Sequence, residues 1–238
     1  IRLLCRSCPD AYVEPCYLPD GRIVFVSSRC RRFVNCWHSR VGAIFRCEGD
    51  GSNVTMLSPN PEHENTPWPL PDGRIVYMRW EYIDRSQLDY HHLWTMNPDG
   101  SQQMTFFGNM NPGNSMLDAK PVDGFPLVVA SFSPGHGAPE HRGRLTLVDS
   151  RLGPDSRESA RTIGTRTDIR DPWAFGTNCF LVADSEGLTI MDGTGAREVL
   201  HRLSDAEAKM EPRRALHEPR PVIPRAREAV IVDRKSVV

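Results

Sequence analysis

The segment Leu18-Pro19-Asp20-Gly21-Arg22-Ile23-Val24-Phe25 returns as Leu70-Pro71-Asp72-Gly73-Arg74-Ile75-Val76-Tyr77, an offset of 72 − 20 = 52 residues. A chain that repeats itself at a fixed period builds one supersecondary unit several times and stacks the copies, so the repeat constrains the fold before any other feature. A second repeat lies downstream in the same units. Asp50-Gly51-Ser52 recurs as Asp99-Gly100-Ser101, an offset of 49. Two weaker copies follow. A proline opens each unit (Pro15, Pro67, Pro121 and Pro172), and an apolar stretch ending on aspartate closes its third strand: Ile44 to Asp50, Leu93 to Asp99, Leu145 to Asp149 and Leu188 to Asp192.

Each unit reads as four short strands. In the second, Thr66 to Leu70 is the first strand. Pro71-Asp72-Gly73 makes a tight turn, in which proline presets φ and glycine accepts φ > 0. Arg74 to Trp80 is β-branched and aromatic, Leu93 to Asn97 alternates, and Gln102 to Phe107 follows the turn Pro98-Asp99-Gly100-Ser101. Strands are predicted near residues 22–28, 42–49, 74–81, 92–97, 126–132, 144–149, 179–184 and 187–192. A four-stranded unit repeated every ~50 residues is a β-propeller blade. The fold class is therefore all-β, with about four blades in residues 1–203. Ile1 to Leu4 reads as the last strand of an earlier blade, and both ends look cut, so the expectation is a fragment of a six-bladed ring. Residues 204–238 read as a linker or the start of the next segment. Ser204-Asp205-Ala206-Glu207 carries a capping-box signature for a helix that ends near Met210, before Pro212. The Pro/Arg-rich stretch 213–225 reads as an extended linker.

Composition narrows the function classes. Lys+Arg 29 against Asp+Glu 30 gives a net charge of −1, which supplies no general pull toward nucleic acid or anionic lipid. Mean hydropathy is −0.44, and no apolar run approaches the ~20 residues of a membrane helix. Gly 18 and Pro 20 suit a turn-dense β protein. Only Lys120, Lys209 and Lys235 are lysine among the basic residues, an arginine bias typical of a GC-rich bacterial genome.

The pattern P-x-x-x-P-D-G-R-I-V-F followed by N-P-D-G-S resembles the TolB-type propeller repeat. Four segments carry a closer resemblance to the propeller middle domain of the hydrazine synthase alpha subunit family and its planctomycete relatives. They are Glu14 to Phe25, Met78 to Arg85, His91 to Gly100, and Ser131-Phe132-Ser133-Pro134-Gly135-His136-Gly137. That resemblance implies a periplasmic or other extracytoplasmic multidomain protein with c-type haem in flanking domains. Covalent haem needs Cys-x-x-Cys-His, and Cys5-Arg6-Ser7-Cys8 is followed by Pro9, so no cofactor is expected within this chain.

Several residues are candidates for chemistry. Pro134 to His141 is a Gly/Pro loop bearing His136, Glu140 and His141, a set suited to a metal or a substrate contact. The bland alternative is a long loop between second and third strands. Cys30 and Cys36 flank an insertion, with His38 close by. A disulfide closing that loop is the preferred reading, supported by the extracytoplasmic inference; a metal site with His38, or free thiols, are the alternatives. In His91-His92 at most one imidazole faces the channel or a neighbouring blade. Trp68, Trp80, Trp94 and Trp173 read as blade-to-blade packing, and Trp37 as exposed. No nucleophile elbow, P-loop or Rossmann fingerprint occurs. The resulting expectation is a non-catalytic docking or assembly domain whose partners are other domains or subunits of a larger redox protein. The rivals are a TolB-like binder of envelope proteins, and propeller loops that complete an enzyme active site with a neighbouring domain.

Overall fold

A computed structural model describes residues 10–136, 141–209 and 215–232. Blade 1 is β1 (Tyr12–Tyr17), β2 (Ile23–Ser27), β3 (Ala43–Cys47) and β4 (Thr55–Met56). Blade 2 is β5 (Glu64–Pro69), β6 (Ile75–Trp80), β7 (Tyr90–Met96) and β8 (Met104–Phe107). Blade 3 is β9 (Asn114–Pro121), β10 (Leu127–Ser133), β11 (Arg144–Asp149) and β12 (Ala160–Thr162). Blade 4 is β13 (Arg170–Ala174), β14 (Cys179–Ala183), β15 (Leu188–Asp192) and β16 (Arg197–His201). Strands within each blade run antiparallel in chain order. Two parallel pairings, Tyr90 with Asn114 and His91 with Ser115, join blades 2 and 3. Among the described residues no helix is long and apolar enough to cross a membrane.

The eight strands predicted from alternation are all present. The four-residue helix α1 (Asp205–Ala208) carries the capping box expected of Ser204 and Glu207. The repeated turns hold Gly21 and Gly73 at φ 91° and 88°, where a side chain would be strained.

Packing follows from alternation on two-faced sheets. Leu18, Val24, Val26 and Ile44 of blade 1 meet Ile75, Tyr77 and Met96 of blade 2. Val76, Leu93 and Phe107 meet Met116, Val128 and Ala130 across the next seam. Val129, Leu145 and Leu147 meet Phe180, Val182 and Met191 across the third. The first seam also buries an ion pair. Arg79 donates to Glu64 from Nε at 3.0 Å and from Nη2 at 2.8 Å, and Ser58 Oγ donates to the same carboxylate at 2.6 Å. The Arg79 guanidinium lies 4.4 Å above the Trp94 ring.

The inner strands carry a second, finer repeat. Each is broken by a bulge around a residue in the left-handed region: Glu14, Thr66, Asp118 and Asp171. Their spacings are 66 − 14 = 52, 118 − 66 = 52 and 171 − 118 = 53. One bond recurs around the axis. Glu14 Oε2 accepts from the Thr66 N–H, and Thr66 Oγ1 accepts from the Asp118 N–H at 3.1 Å. This register corrects the set of opening prolines. Pro15, Pro67 and Pro172 directly follow the bulge residue, but in blade 3 Ala119 does. Pro121 pairs with Val128 as Pro69 pairs with Ile75, so it stands two residues further along. Blade 2 likewise begins before Thr66, at Glu64, because pairing resumes on both sides of the bulge.

The stretch read as a linker is not free of the blades over its described part. Glu218 is again left-handed, precedes Pro219, and donates its N–H to Asp171 Oδ2 at 2.9 Å, which makes it a fifth copy of the inner-strand motif. Beyond it, Arg227 Nε donates to the Pro19 carbonyl at 2.9 Å and Ala229 N donates to the Pro71 carbonyl at 3.0 Å. Residues 215–232 therefore run extended along the inner strands and across the Pro-Asp-Gly turns of blades 1 and 2.

Candidate functional site

A recess of about 440 Å³ opens at the end of the blades opposite the Pro-Asp-Gly turns. Three blades build it. Blade 1 contributes an arm, residues 28–42, closed on itself by Val34 N to Ser39 O at 3.0 Å and Val41 N to Arg32 O at 2.9 Å. Val34 anchors the arm in the core while Cys36 and Trp37 stand at its exposed tip, with Trp37 72% exposed. Blade 2 contributes His63, Met78, Trp80 and His91, and blade 3 contributes His136 and His141.

Alternation places these groups. On β6, Met78 and Trp80 turn to the recess while Arg79 between them turns into the seam with Glu64. Trp80 is the hub. Its ring centroid lies 4.8 Å from that of His136, 5.2 Å from His91 and 6.1 Å from His63, and His91 stacks on His136 at 5.5 Å. His63 Nδ1 accepts the Gly42 N–H at 3.0 Å, so in the neutral ring the proton sits on Nε2. His91 is 6% exposed and its Nδ1 has no hydrogen-bond partner. Burial, reinforced by His136 and His63, pushes the His91 pKa down to about 4. Burial, with Arg85 and Arg79 beside it, pushes His92 down to about 3. His92 faces away from the recess, and its Nε2 accepts from Trp94 Nε1 at 2.9 Å. Both imidazoles are neutral at pH 7. The recess thus joins an aromatic wall to neutral nitrogen donors and acceptors, a surface suited to a flat or amphipathic group that is inserted from outside.

No family model matches the chain, and no curated protein does. Solved structures are similar to it. Hydrazine synthase from Kuenenia stuttgartiensis superposes with a TM-score of 0.64 at 16% identity, over 76% of this chain and 28% of that one. A gluconolactonase from Xanthomonas campestris superposes at 0.51 with 18% identity, over 78% of this chain and 60% of that one. An oligogalacturonate lyase in complex with manganese superposes at 0.50 with 12% identity, over 80% and 53%. The chain is built of β-propeller blades. At these identities the likeness is one of fold, and the chain spans only part of each of these proteins.

The propeller brings several sequence candidates together and separates others. His136, His141, His91, Cys36 and Trp37 all reach the recess. Glu140, the third member of the proposed metal set, lies outside the described residues, as do Cys5 and Cys8. Cys30 and Cys36 are free thiols. Cys30 Sγ donates to the Val41 carbonyl at 3.4 Å inside the base of the arm, whereas Cys36 sits at its tip. Trp68, Trp94 and Trp173 pack between blades as the sequence predicts, with Trp68 edge-on to Trp173 at 6.0 Å. Trp80 packs in the core as well, yet it also forms the recess wall. His63 escaped sequence reasoning altogether, because a lone histidine between Glu62 and Glu64 carries no motif.

Proposed function

We propose that this chain is a binding domain of a larger protein, non-catalytic by itself, that holds a neighbouring domain or subunit against the recess. The carrying observation is the convergence of loops from three blades on one cavity, with the exposed Trp37 at its lip, three imidazoles around Trp80 and a fourth, His141, in the lining. Loops on a rigid sheet scaffold are where propellers place recognition. From the sequence resemblance carried by Glu14 to Phe25 and His91 to Gly100 we further propose an extracytoplasmic redox setting with c-type haem in flanking domains; the structural likeness supports the propeller scaffold. The imidazoles favour a second role for the same surface, in which the recess completes an active site whose reactive centre belongs to the neighbouring domain.

In the full-length protein, His136→Ala and His141→Ala should lower activity or domain association at least fivefold. The thermal midpoint of the isolated domain should stay nearly unchanged, because both residues lie in one loop. Turnover or a haem-stained band from purified 1–238 would overturn the non-catalytic reading. Unaltered association and activity in both variants would overturn the recess as the contact surface.

A further inference from the structure

The bond that recurs between inner strands fails at one step. Glu14 holds the Thr66 N–H, Thr66 holds the Asp118 N–H, and Asp171 holds the Glu218 N–H. Among the described residues, Asp118 does not hold the Asp171 N–H. Asp118 is only 5% exposed, and its Oδ2 is buried with no hydrogen-bond partner. Leaving a carboxylate oxygen in that state is costly unless a positive group meets it.

At this step three carboxylates converge. One oxygen from each of Asp118, Asp171 and Glu218 lies within 4.8 Å of the others. The cavity beside them, about 370 Å³, is also lined by Glu14, Lys120 and Arg220. Neither fixed cation closes the gap. Lys120 Nζ donates to the Asp118 backbone carbonyl at 3.4 Å and lies 5.5 Å from the Trp68 ring centroid. Arg220 lies 4.3 Å over the same ring and pairs with Glu218. Arg225 lies 5.9 Å from the same ring, and His217 Nδ1 stands 3.1 Å from Asp171 Oδ2, so neither reaches Asp118 Oδ2. Cys16 also lines the cavity, but its thiol donates to the Tyr17 carbonyl at 3.6 Å.

We infer that Asp118, Asp171 and Glu218 form a binding site for a hard divalent cation of the Ca²⁺ class on the propeller axis. Three converging carboxylate oxygens select a hard ion, and the unpartnered Asp118 Oδ2 is left for one to meet. Glu218 belongs to the docked segment while Asp118 and Asp171 belong to blades 3 and 4. The ion would therefore tie that segment to the inner strands.

The test titrates CaCl₂ into EDTA-stripped 1–238 by calorimetry, with Tb³⁺ as a luminescent probe sensitised by Trp68. One equivalent should bind and raise the thermal midpoint. Glu218→Gln, on an exposed residue outside the strands, should weaken binding at least tenfold. Asp118→Asn should abolish it, and it should also raise the midpoint of the cation-free protein by removing the unpartnered charge. Absence of Ca²⁺ and Tb³⁺ binding to the wild-type chain would overturn the inference, since Asp118 would then be neutralised by a proton. So would binding that Glu218→Gln weakens less than threefold.

Discussion

The recess and the axial carboxylates are built on the same inner strands, within a residue or two of each other. Asn65 and Leu117 line the recess, while Thr66 and Asp118, next in the chain, turn to the axis. Their origins differ. The axial positions are one per blade, at 14, 66, 118 and 171, each fixed by a bulge that the repeat carries, with 218 as a fifth left-handed copy outside the strands. The recess is made of what the blades do not share: the arm at 28–42, the imidazole His63, and the Gly/Pro loop of His136. The repeat thus supplies the scaffold and the axis, and departures from it supply the rim of the recess at the blade ends.

The largest separable effect is expected from the Glu64–Arg79 pair, which backs the recess strands from the seam. Glu64→Ala or Arg79→Ala leaves a charge buried alone and should cost about 3–5 kcal/mol in urea unfolding. Ca²⁺ affinity at the axis should change less than twofold in whatever fraction remains folded. A larger change would mean that the two regions share one frame.

Acid should distinguish them next. His91 and His92 have folded pKa values near 4 and 3, below an unfolded value of about 6.5. The folded state binds fewer protons, so their contribution is complete above pH 6.5 and is lost as pH falls toward 4. At pH 5 each should cost about 2 kcal/mol relative to pH 7. Urea midpoints at the two pH values test this, and His91→Phe should remove about half of the difference. Equal midpoints at pH 7 and pH 5 would show that His91 is not neutral and buried in solution.

The smallest effect compares two copies of one turn. Gly21 and Gly73 share φ near 90°, but a Cβ at Gly21 meets nothing, whereas one at Gly73 would stand 2.3 Å from the Ala229 carbonyl oxygen. Gly21→Ala should cost about 1 kcal/mol from backbone strain alone. Gly73→Ala should cost more and speed limited proteolysis within 215–232. Equal proteolysis of the two variants would count against docking of that segment on blade 2.

Strands and turns were legible because both repeat and alternate: Ile75 to Trp80 pairs residue for residue with Met96 to His91, as its β-branched and aromatic content predicts. The axial positions were half visible. Glu14-Pro15, Thr66-Pro67, Asp171-Pro172 and Glu218-Pro219 share a motif, but Asp118-Ala119 breaks it, and the nearby Pro121 took its place in the reading. The convergence at the recess was not legible. It depends on the angle between blades, and no local pattern encodes which loop tip meets which. His136 and His141 stood out as chemistry-bearing residues on a Gly/Pro loop, whereas nothing marked Trp80 as their common wall.

The contact between Arg227 and the Pro19 carbonyl spans 208 residues of sequence. Each blade closes over short loops and can form as its own strands leave the ribosome, but this contact cannot form until all four blades and residue 227 have been made. Closing so long a loop carries a large entropic cost that adjacent blades must already have reduced. The docked segment should therefore order after the four blades during synthesis. Until it does, the Pro19 and Pro71 carbonyls at the turns of blades 1 and 2 lack their partners Arg227 and Ala229.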